Sequence, residues 1–316
     1  MEHRMPLRLS PVLKQALWGG TRLADTYQMG NEGEQIAEAW LLTCREDGMS
    51  TILGGACDGM TLADYLAAYP DAVGTRVRTD RFPLLIKWID AEKDLSIQIH
   101  PDDAYAAAHT SDLGKTEMWY IVDAAPDAAI IYGMKEDYSA AEIRRALENG
   151  TLERLMRYQP VKAGETYFIP AGLVHAIGKG ILIAEIQQNS NTTYRVYDYN
   201  RRDADGKLRP LHIEQALAVL ESTDTSQVSS RASSDPTVIA DCPYFRVRKL
   251  ELREETAMLN VGTDRFLHLM CLSGRALLTS GGIDYAVRPG DSYFIPAGCG
   301  DIALEAEEAS LILSTP

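Results

Sequence analysis

The chain has 316 residues, of which 46% are hydrophobic and 24% are charged, and its formal net charge is −14. This composition indicates a folded globular protein with room for two domains. The negative charge argues against nucleic acid or an anionic membrane surface as a partner, because both require a basic face. The five cysteines are widely spaced and indicate reduced thiols. Since no signal peptide or run of ~20 apolar residues is present, we expect a cytoplasmic protein.

Short strand-like segments separated by Gly, Pro and Asp turns make up most of the chain. In order, they lie at residues 83–89, 95–100, 118–122, 129–132, 166–169, 181–186 and 193–197. Helical spacing of apolar residues interrupts them at 61–69, 139–158 and 213–220, and the Asn149-Gly150 turn divides the second of these into two short helices. The pattern predicts a mainly β sandwich or barrel, with the helices as short inserts.

A polar segment rich in Ser and Thr, at residues 223–236, is the clearest boundary, because such a composition does not form a core. We predict a first barrel at 1–222, a linker at 223–236 and a smaller barrel at 237–316. The second barrel is expected to contain short strands at 245–250, 266–272, 275–279, 292–295 and 310–313.

A sequence pattern occurs twice, at residues 164–175 and 290–301. Both copies begin with Gly and an acidic residue and continue through the run Tyr-Phe-Ile-Pro-Ala-Gly. The first copy ends at His175, whereas the second has Asp301 at that position. We infer two related barrels, with a metal site in the first and a structural or oligomerising role for the second.

Four potential metal ligands lie on or beside the strands of the first barrel. Gln98 and His100 are two residues apart on a strand and therefore face the same side. Glu117 begins the next strand, and His175 follows a Pro-Ala-Gly turn. Two imidazoles, a carboxylate and an amide oxygen suit a divalent ion, zinc first, with a position left for water or substrate.

Several segments together resemble the type I mannose-6-phosphate isomerases in their shorter bacterial form, which are zinc enzymes built from cupin (jelly-roll) barrels. The segments that carry the resemblance are 18–20, 38–40, 82–87, 98–102, 114–120, 169–176 and 187–198. The most specific blocks are His-Pro-Asp at 100–102, Lys-Thr-Glu at 115–117 and Thr-Tyr-Arg-Val-Tyr-Asp at 193–198. The resemblance implies two cupin barrels and a zinc-dependent interconversion of mannose 6-phosphate and fructose 6-phosphate through a cis-enediolate.

The resemblance also assigns residues. It implies one zinc ion held by Gln98, His100, Glu117 and His175, and an active-site arginine at Arg195. The residues that it places in the sugar-phosphate pocket are Trp18, Glu38, Lys87, Lys115 and Glu185. Two positions depart from the longer relatives, which carry His at the position of Gly114 and Asp at that of Asn191, so the roles of those residues are not transferred.

Several assignments stay open at this stage. Arg195 would either stabilise the enediolate or hold the phosphate, Lys115 is a second phosphate candidate, and the proton carrier would be Glu185, Lys115 or a zinc-bound water. Lys87 would alternatively pair with a carboxylate such as Glu185, and Glu38 would serve as a structural acceptor. Arg201 and Arg202 are assigned to a solvated turn.

Rival functions are a metal-dependent cupin oxygenase, another sugar isomerase, or a non-catalytic sugar-phosphate-binding protein. In each reading except the oxygenase, the partner is a small sugar phosphate. The sequence does not determine the oligomeric state.

Overall fold

The computed structural model describes residues 4–77, 81–202, 205–226 and 228–316. Its strands are β1 Leu7–Ser10, β2 Val12–Lys14, β3 Glu38–Leu42, β4 Cys44–Arg45, β5 Gly48–Met49, β6 Thr51–Leu53, β7 Leu84–Ala91, β8 Ile97–Ile99, β9 Glu117–Ala124, β10 Ala129–Met134, β11 Met156–Pro160, β12 Thr166–Ile169, β13 His175–Ala176, β14 Ile181–Gln188, β15 Tyr194–Tyr197, β16 Val238–Asp241, β17 Arg246–Val261, β18 Leu267–Ser280, β19 Ile283–Val287, β20 Ser292–Ile295 and β21 Gly300–Thr315. Its α-helices are α1 Arg22–Asp25, α2 Leu62–Ala68, α3 Asp103–His109, α4 Ala140–Glu148 and α5 Ile213–Ser222. The predicted mainly β fold with two barrels is confirmed.

The first barrel consists of two antiparallel sheets. One has the strand order β12-β9-β14-β7-β3-β2 and the other has the order β11-β10-β13-β8-β15. Every residue of β7 and β14 is buried. These two central strands therefore have both faces covered, and alternate side chains belong to different environments.

The alternation on β7 determines what faces the barrel interior. Leu84, Ile86 and Trp88 belong to the hydrophobic core shared with the second barrel, whereas Ile89 and Ala91 belong to the core inside the first. Lys87 is in phase with this interior set, so strand geometry alone directs its charge into the barrel. The same alternation directs Glu185 of β14 and Glu117 of β9 inward.

The second barrel is built around three long strands. β17 and β21 have 16 residues each and β18 has 14. The short strands predicted at 266–272 and 275–279 are thus one strand, β18, in which the register shifts but pairing with β21 continues. The prediction was wrong here because Ser273 and Gly274 read as a turn, whereas positive φ at Gly274 is accommodated within the strand.

The N-terminal strands belong to the sheet of the second barrel. β1 pairs with β20 through Leu7 opposite Phe294, and β6 pairs with the other edge of β1. The sheet order is therefore β16-β17-β21-β18-β20-β1-β6, with β19 beside β18. The limits of 1–222 and 237–316 remain a prediction about folding units, since this sheet contains residues from both sides of the segment at 223–236.

Helices cover the first barrel from outside. α4 and α5 pack on the outer face of β8, in a core that includes Ile97 and Ile99. The helical prediction for 139–158 was partly wrong: α4 ends at Glu148, a 3₁₀ turn follows at Leu152–Leu155, and Met156 begins β11. Met156 packs in the same core as the apolar residues of α4. Its distance in sequence from those residues fits a helical period although its backbone is extended. No helix among the described residues is long and apolar enough to cross a membrane.

Candidate metal centre and active-site cavity

Three side chains of the first barrel bring potential ligand atoms together. Nε2 of His100 lies 3.1 Å from Nε2 of His175 and 3.3 Å from Oε1 of Glu117. The other carboxylate oxygen of Glu117 lies 3.8 Å from Nε2 of His175. All three residues are buried, and they come from three different strand ends. The sequence separated them by up to 75 positions, and the barrel brings them to one point.

The protonation states of this cluster suit a divalent metal ion. Nδ1 of His175 lies 2.8 Å from the carbonyl oxygen of Leu173 and donates to it. In the neutral imidazole, Nε2 then carries no proton, and its lone pair is available to a metal ion. Burial lowers the pKa of His175, and burial together with the Lys115 charge lowers the pKa of His100 to about 3. Although burial raises the pKa of Glu117, the charge of Lys115 and the contact with His100 outweigh it, and the pKa lies well below the ordinary value. Two neutral imidazoles and a carboxylate are the forms that bind metal.

The carboxylate of Glu117 supports the same interpretation. Nζ of Lys115 lies 2.5 Å from Oε1 and compensates that oxygen, whereas the buried Oε2 has no hydrogen-bond partner among the described residues. A buried carboxylate oxygen without a partner is costly, and a bound ion would pair it. The donor set therefore fits a divalent metal ion, and nitrogen and oxygen donors of this kind suit zinc.

Gln98 lies beside this cluster on β8. It is opposite His175 of β13 on one side and opposite Arg195 of β15 on the other. Directly paired residues project to the same face of a sheet, so all three side chains face the barrel interior. Gln98 lines the cavity described below. Its part in binding the metal remains a prediction.

A backbone hydrogen bond holds Lys115 beside the cluster of potential ligands. Its N–H donates to the carbonyl oxygen of Pro101, and its Nζ lies 3.2 Å from Nε2 of His100. The preceding residue, Gly114, has no room for a side chain, since a Cβ there would lie 2.5 Å from the backbone of Asp102 and Asp103. In this loop conformation, a histidine at position 114 would therefore clash with the backbone.

Lys87 and Glu185 form a buried pair across β7 and β14. The Nζ of Lys87 lies 3.2 Å from Glu185 and 3.3 Å from Glu38. Burial alone would lower the pKa of Lys87, but the two carboxylates raise it, and the lysine stays charged. The indole N–H groups of Trp119 and Trp40 donate to Glu185 and Glu38, respectively. Burial, and then the charge of Glu117, raises the pKa of Glu185. The pairing that the sequence left as an alternative for Lys87 is therefore present.

A cavity of about 310 Å³ opens beside the metal cluster. Its polar and aromatic lining includes Trp18, Glu38, Lys87, Gln98, Lys115, Glu185, Asn191, Arg195 and Arg209. Every residue predicted to bind substrate is thus found in its wall. Trp18 reaches it because the next residue, Gly19, lies against Ala37, where a Cβ would come within 2.7 Å of the Ala37 backbone nitrogen.

Asn191 explains the second departure from the longer relatives. Its side-chain Nδ2 donates to a carboxylate oxygen of Asp47 at 2.9 Å, and its backbone N–H donates to Asp112. An aspartate at position 191 would place two carboxylates against each other in this position. An amide is therefore the group that this neighbourhood accepts.

Arg209 is a charged cavity residue that the sequence did not reveal. It lies in an irregular segment after β15, where no periodicity marks an inward-facing position. Its partner, Asp198, also binds Arg201, so the assignment of Arg201 to a solvated turn was wrong. Arg202 is exposed and donates to the carbonyl oxygen of Gly206, as a turn residue does. An aspartate followed by arginines three and eleven positions later is too weak a signal to predict this cluster.

The fold and the site define a class: a two-barrel β protein with a metal-binding donor set beside a cationic cavity. Comparison with known proteins specifies the family. Residues 6–128 match the family model described as phosphomannose isomerase type I, catalytic domain, and residues 235–316 match that described as mannose-6-phosphate isomerase, cupin domain.

Full-length relatives agree with these two matches. The chain is 39% identical over 306 residues to mannose-6-phosphate isomerase ManA of Bacillus subtilis, covering 95% of this chain and 96% of the relative. It is 38% identical over 295 residues to a mannose-6-phosphate isomerase of Streptococcus mutans, covering 92% of each.

A crystal structure of the mannose 6-phosphate isomerase from Bacillus subtilis superposes with a TM-score of 0.88 at 34% identity, covering 98% of this chain and 99% of that one. A putative mannosephosphate isomerase from Archaeoglobus fulgidus shares the fold, with a TM-score of 0.78 at 20% identity and coverage of 98% and 97%. The chain belongs to the type I phosphomannose isomerase family, and it is an isomerase.

Proposed function

We propose that this protein interconverts mannose 6-phosphate and fructose 6-phosphate with one zinc ion per chain. The observation that carries the proposal is the convergence of His100, Glu117 and His175 beside a cavity that four cationic side chains line. Relatives named for this activity align with nearly the whole chain. A metal ion in this donor set would polarise the reacting oxygens of the sugar, and the cationic wall would bind its phosphate.

His100, Glu117, His175 and Gln98 would hold the metal ion. When bound there, zinc supplies a Lewis acid that polarises the carbonyl and hydroxyl oxygens of the reacting carbons. With Gln98 as a fourth ligand, the set would differ from the two-histidine, one-carboxylate arrangement of non-haem iron oxygenases. The cationic cavity wall, which suits a phosphate, also favours the isomerase over the oxygenase among the rival functions.

The register of the sheet β11-β10-β13-β8-β15 supports one orientation of the substrate. Arg195, Gln98 and His175 are side by side on adjacent strands, so Arg195 and His175 lie roughly 10 Å apart across two strand spacings. A hexose 6-phosphate is long enough to reach from the metal to Arg195. We infer that carbons 1 and 2 lie at the metal end and the phosphate at the Arg195 end, because a guanidinium binds oxyanions bidentately.

This orientation assigns different roles to the two cations considered for the phosphate. Lys115 lies among the ligands, 3.2 Å from Nε2 of His100, and is therefore placed to stabilise negative charge that develops on the oxygens of carbons 1 and 2. Arg195 stands apart from the ligands and takes the phosphate.

Proton transfer is assigned to Glu185. In the forward direction, the carboxylate removes the proton on carbon 2 of the aldose and gives a cis-enediolate. The same carboxyl then returns the proton to carbon 1, while the proton on oxygen 2 is transferred to oxygen 1. Glu185 lines the cavity, and its raised pKa brings it closer to the range in which a general base works well.

A coupled assay for fructose 6-phosphate tests the proposal, with chelator-treated protein and with zinc added back. We expect chelation to abolish turnover and about one zinc per chain to restore it. Protein that holds one zinc per chain but shows no turnover would overturn the isomerase and leave the sugar-phosphate-binding alternative. Turnover that survives complete removal of metal would overturn the metal assignment alone.

A further inference from the structure

Arg209 lies in the cavity wall and is fixed by a two-point contact with Asp198. Its Nε donates to one carboxylate oxygen at 2.7 Å and its Nη2 donates to the other at 2.6 Å. The carboxylate of Asp198 is buried, with 5% of the side chain exposed. A guanidinium held by one edge in this way cannot swing freely, and its remaining N–H groups point in a fixed direction.

The free donors of Arg209 and Arg195 complement each other. Within the described part of the chain, Nη1 of Arg209 has no hydrogen-bond partner. Arg195 uses Nη1 on the carbonyl oxygen of Pro210 at 2.8 Å, and its buried Nε has no partner there either. The buried Nε of Arg195 is costly to leave without an acceptor, and a ligand would supply one. Nη1 of Arg209 belongs to a side chain that is 25% exposed and is open to a ligand in the cavity.

Residues 209–212, which we call the strap, contain Arg209 and form hydrogen bonds with Arg195. The N–H of Arg195 donates to Nδ1 of His212 at 3.2 Å, and the N–H of His212 donates back to the carbonyl oxygen of Arg195 at 2.8 Å. Pro210 accepts from the Arg195 side chain, as described above. The strap therefore fixes the backbone and side chain of Arg195 and presents Arg209 from the same four residues.

The charge of this end of the cavity is not balanced internally. Arg195 has no carboxylate within ion-pair distance among the described residues, and the single carboxylate of Asp198 is shared between Arg201 and Arg209. Burial, and then the charge of Arg209, lowers the pKa of Arg195. An excess of positive charge here is suited to a dianion.

We propose that Arg209 is a second phosphate-binding residue, which together with Arg195 selects phosphorylated over unphosphorylated sugars. The inference rests on the proposed function, because it assigns the phosphate of that substrate. Asp198 and the strap are positioning elements: they hold the two guanidinium groups and do not contact substrate themselves.

The test compares Arg209→Ala, Arg209→Lys and Arg201→Ala. Arg201→Ala is the matched control, since Arg201 binds the same carboxylate but does not line the cavity. The readouts are kcat and KM for mannose 6-phosphate, kcat/KM for unphosphorylated mannose, and the affinity for inorganic phosphate and mannose 6-phosphate measured by calorimetry on zinc-loaded protein.

For Arg209→Ala we expect affinity for inorganic phosphate and for mannose 6-phosphate to fall about 10- to 100-fold, as for a lost charged hydrogen bond. KM should rise in step, and kcat/KM for mannose should stay within about 2-fold of the parent, which a merely structural defect would not leave intact. Arg209→Lys should retain part of the affinity, and Arg201→Ala should resemble the parent.

Unchanged phosphate affinity in Arg209→Ala would overturn the proposal, as would an equal loss in Arg201→Ala, which would trace the effect to Asp198. A parallel loss with mannose would do the same. If the parent protein turns over neither sugar, the proposed function fails, while the calorimetric titrations still decide whether Arg209 binds phosphate.

Discussion

The two barrels contain the same hairpin but use it differently. Gly164 and Gly172 of the first copy, like Gly290 and Gly298 of the second, have positive φ, and both copies form a four-residue strand between them. Three residues after the second glycine, the first copy places His175 in the barrel interior. The second copy places Asp301 on the surface, where it accepts from Asn260. The shared backbone shows that the hairpin supplies position, and the residue that follows the turn decides the chemistry.

A buried histidine in each barrel extends the comparison. Nε2 of His175 faces other ligand atoms. His268 of the second barrel is also buried, but its Nε2 donates to Oγ of Ser292, whose hydroxyl donates onward to the carbonyl oxygen of Leu41. Its Nδ1 is buried without a partner among the described residues. Both imidazoles are neutral because burial lowers their pKa. Among the described residues, only the first belongs to a cluster of potential metal ligands.

Removing the residue after each turn should give the largest difference between the barrels. We expect His175→Ala to lose its zinc and to lower kcat/KM for mannose 6-phosphate by about 10³-fold or more, because the metal is the main electrophile of the site. Asp301→Ala should keep one zinc per chain and near-parental activity. Metal analysis and the coupled assay measure both, and a large loss of activity in Asp301→Ala would break the comparison.

Glu185→Gln tests which carboxylate of the first barrel moves the proton. The amide keeps an acceptor for the indole N–H of Trp119 but cannot serve as a base, so we expect kcat to fall about 10²- to 10⁴-fold with zinc retained. Glu38→Gln is the matched control, as it removes a carboxylate from the same cavity and the same lysine. Equal losses in the two variants would contradict the assignment of the base to Glu185.

The first barrel contains a buried cluster of charged side chains around Lys87, and Lys87→Met measures how much the lysine contributes to the free energy of unfolding. Without the ammonium group, Glu38 and Glu185 face each other across the site with no counterion, so we expect the free energy of unfolding to fall by about 3–5 kcal/mol. Urea unfolding of metal-loaded protein checks this. Adding Glu185→Gln to Lys87→Met should recover part of the loss, and no recovery would show that packing of the lysine stem is what matters.

His268→Gln isolates a pH effect that belongs to the second barrel. Burial lowers the pKa of His268 to about 3 in the folded state, below the value of about 6.5 in an unfolded chain. Between these values the unfolded state binds more protons, so this histidine lowers the free energy of unfolding as the pH falls from 6.5, by about 1.4 kcal/mol per pH unit. Between pH 7 and pH 5 the parent should therefore lose about 2 kcal/mol more than His268→Gln.

Urea unfolding of metal-loaded protein at the two pH values gives that difference directly. His109→Gln, which changes an exposed histidine on α3, is the control and should behave as the parent. An identical pH dependence in His268→Gln and the parent would show that His268 does not carry the effect.

Substitutions of the turn glycines should have the smallest effects on stability and activity, and they compare equivalent positions in the two barrels. Alanine at Gly172 or Gly298 must adopt positive φ, which costs about 1–2 kcal/mol in either barrel. Gly172→Ala should also displace the chain that leads to His175 and lower activity several-fold, whereas Gly298→Ala should reduce stability alone. Thermal unfolding and the coupled assay separate the two, and equal activity in both variants would remove the link between turn and ligand.

The sequence predicted the interior of the first barrel well, for a physical reason. The shared face of Gln98 and His100 follows from the two-residue period of a strand, which is local information. The resemblance to the family placed Lys87 and Glu185 in the pocket, and their inward positions agree with the same period. Arg209 could not be predicted, because it lies in an irregular segment whose path depends on the contacts of Asp198 and β15.

The full extent of the sheet of the second barrel was the other feature that the sequence could not predict. The strands at 245–250 and 310–313 were found but truncated, since Glu254, Glu255, Glu307 and Glu308 are solvated side chains that resemble turn residues. The pairing of β17 with β21 skips Glu254 and Glu307 but continues on both sides of them. The pairing of β1 with β20 has no local signal at all. Loop-closing contacts of this kind depend on the whole fold.

The pairing of Leu7 with Phe294 sets an order for biosynthesis. On a ribosome that adds about 5–20 residues per second, β1 waits roughly 15–60 s before its partner strand exists. During that time the edge of β1 that later receives β20 is an unprotected strand edge on a nascent chain, which is the kind of surface that aggregates or recruits chaperones. The enzyme can complete the sheet of its second barrel, to which β1 belongs, only when nearly the last strand has left the exit tunnel.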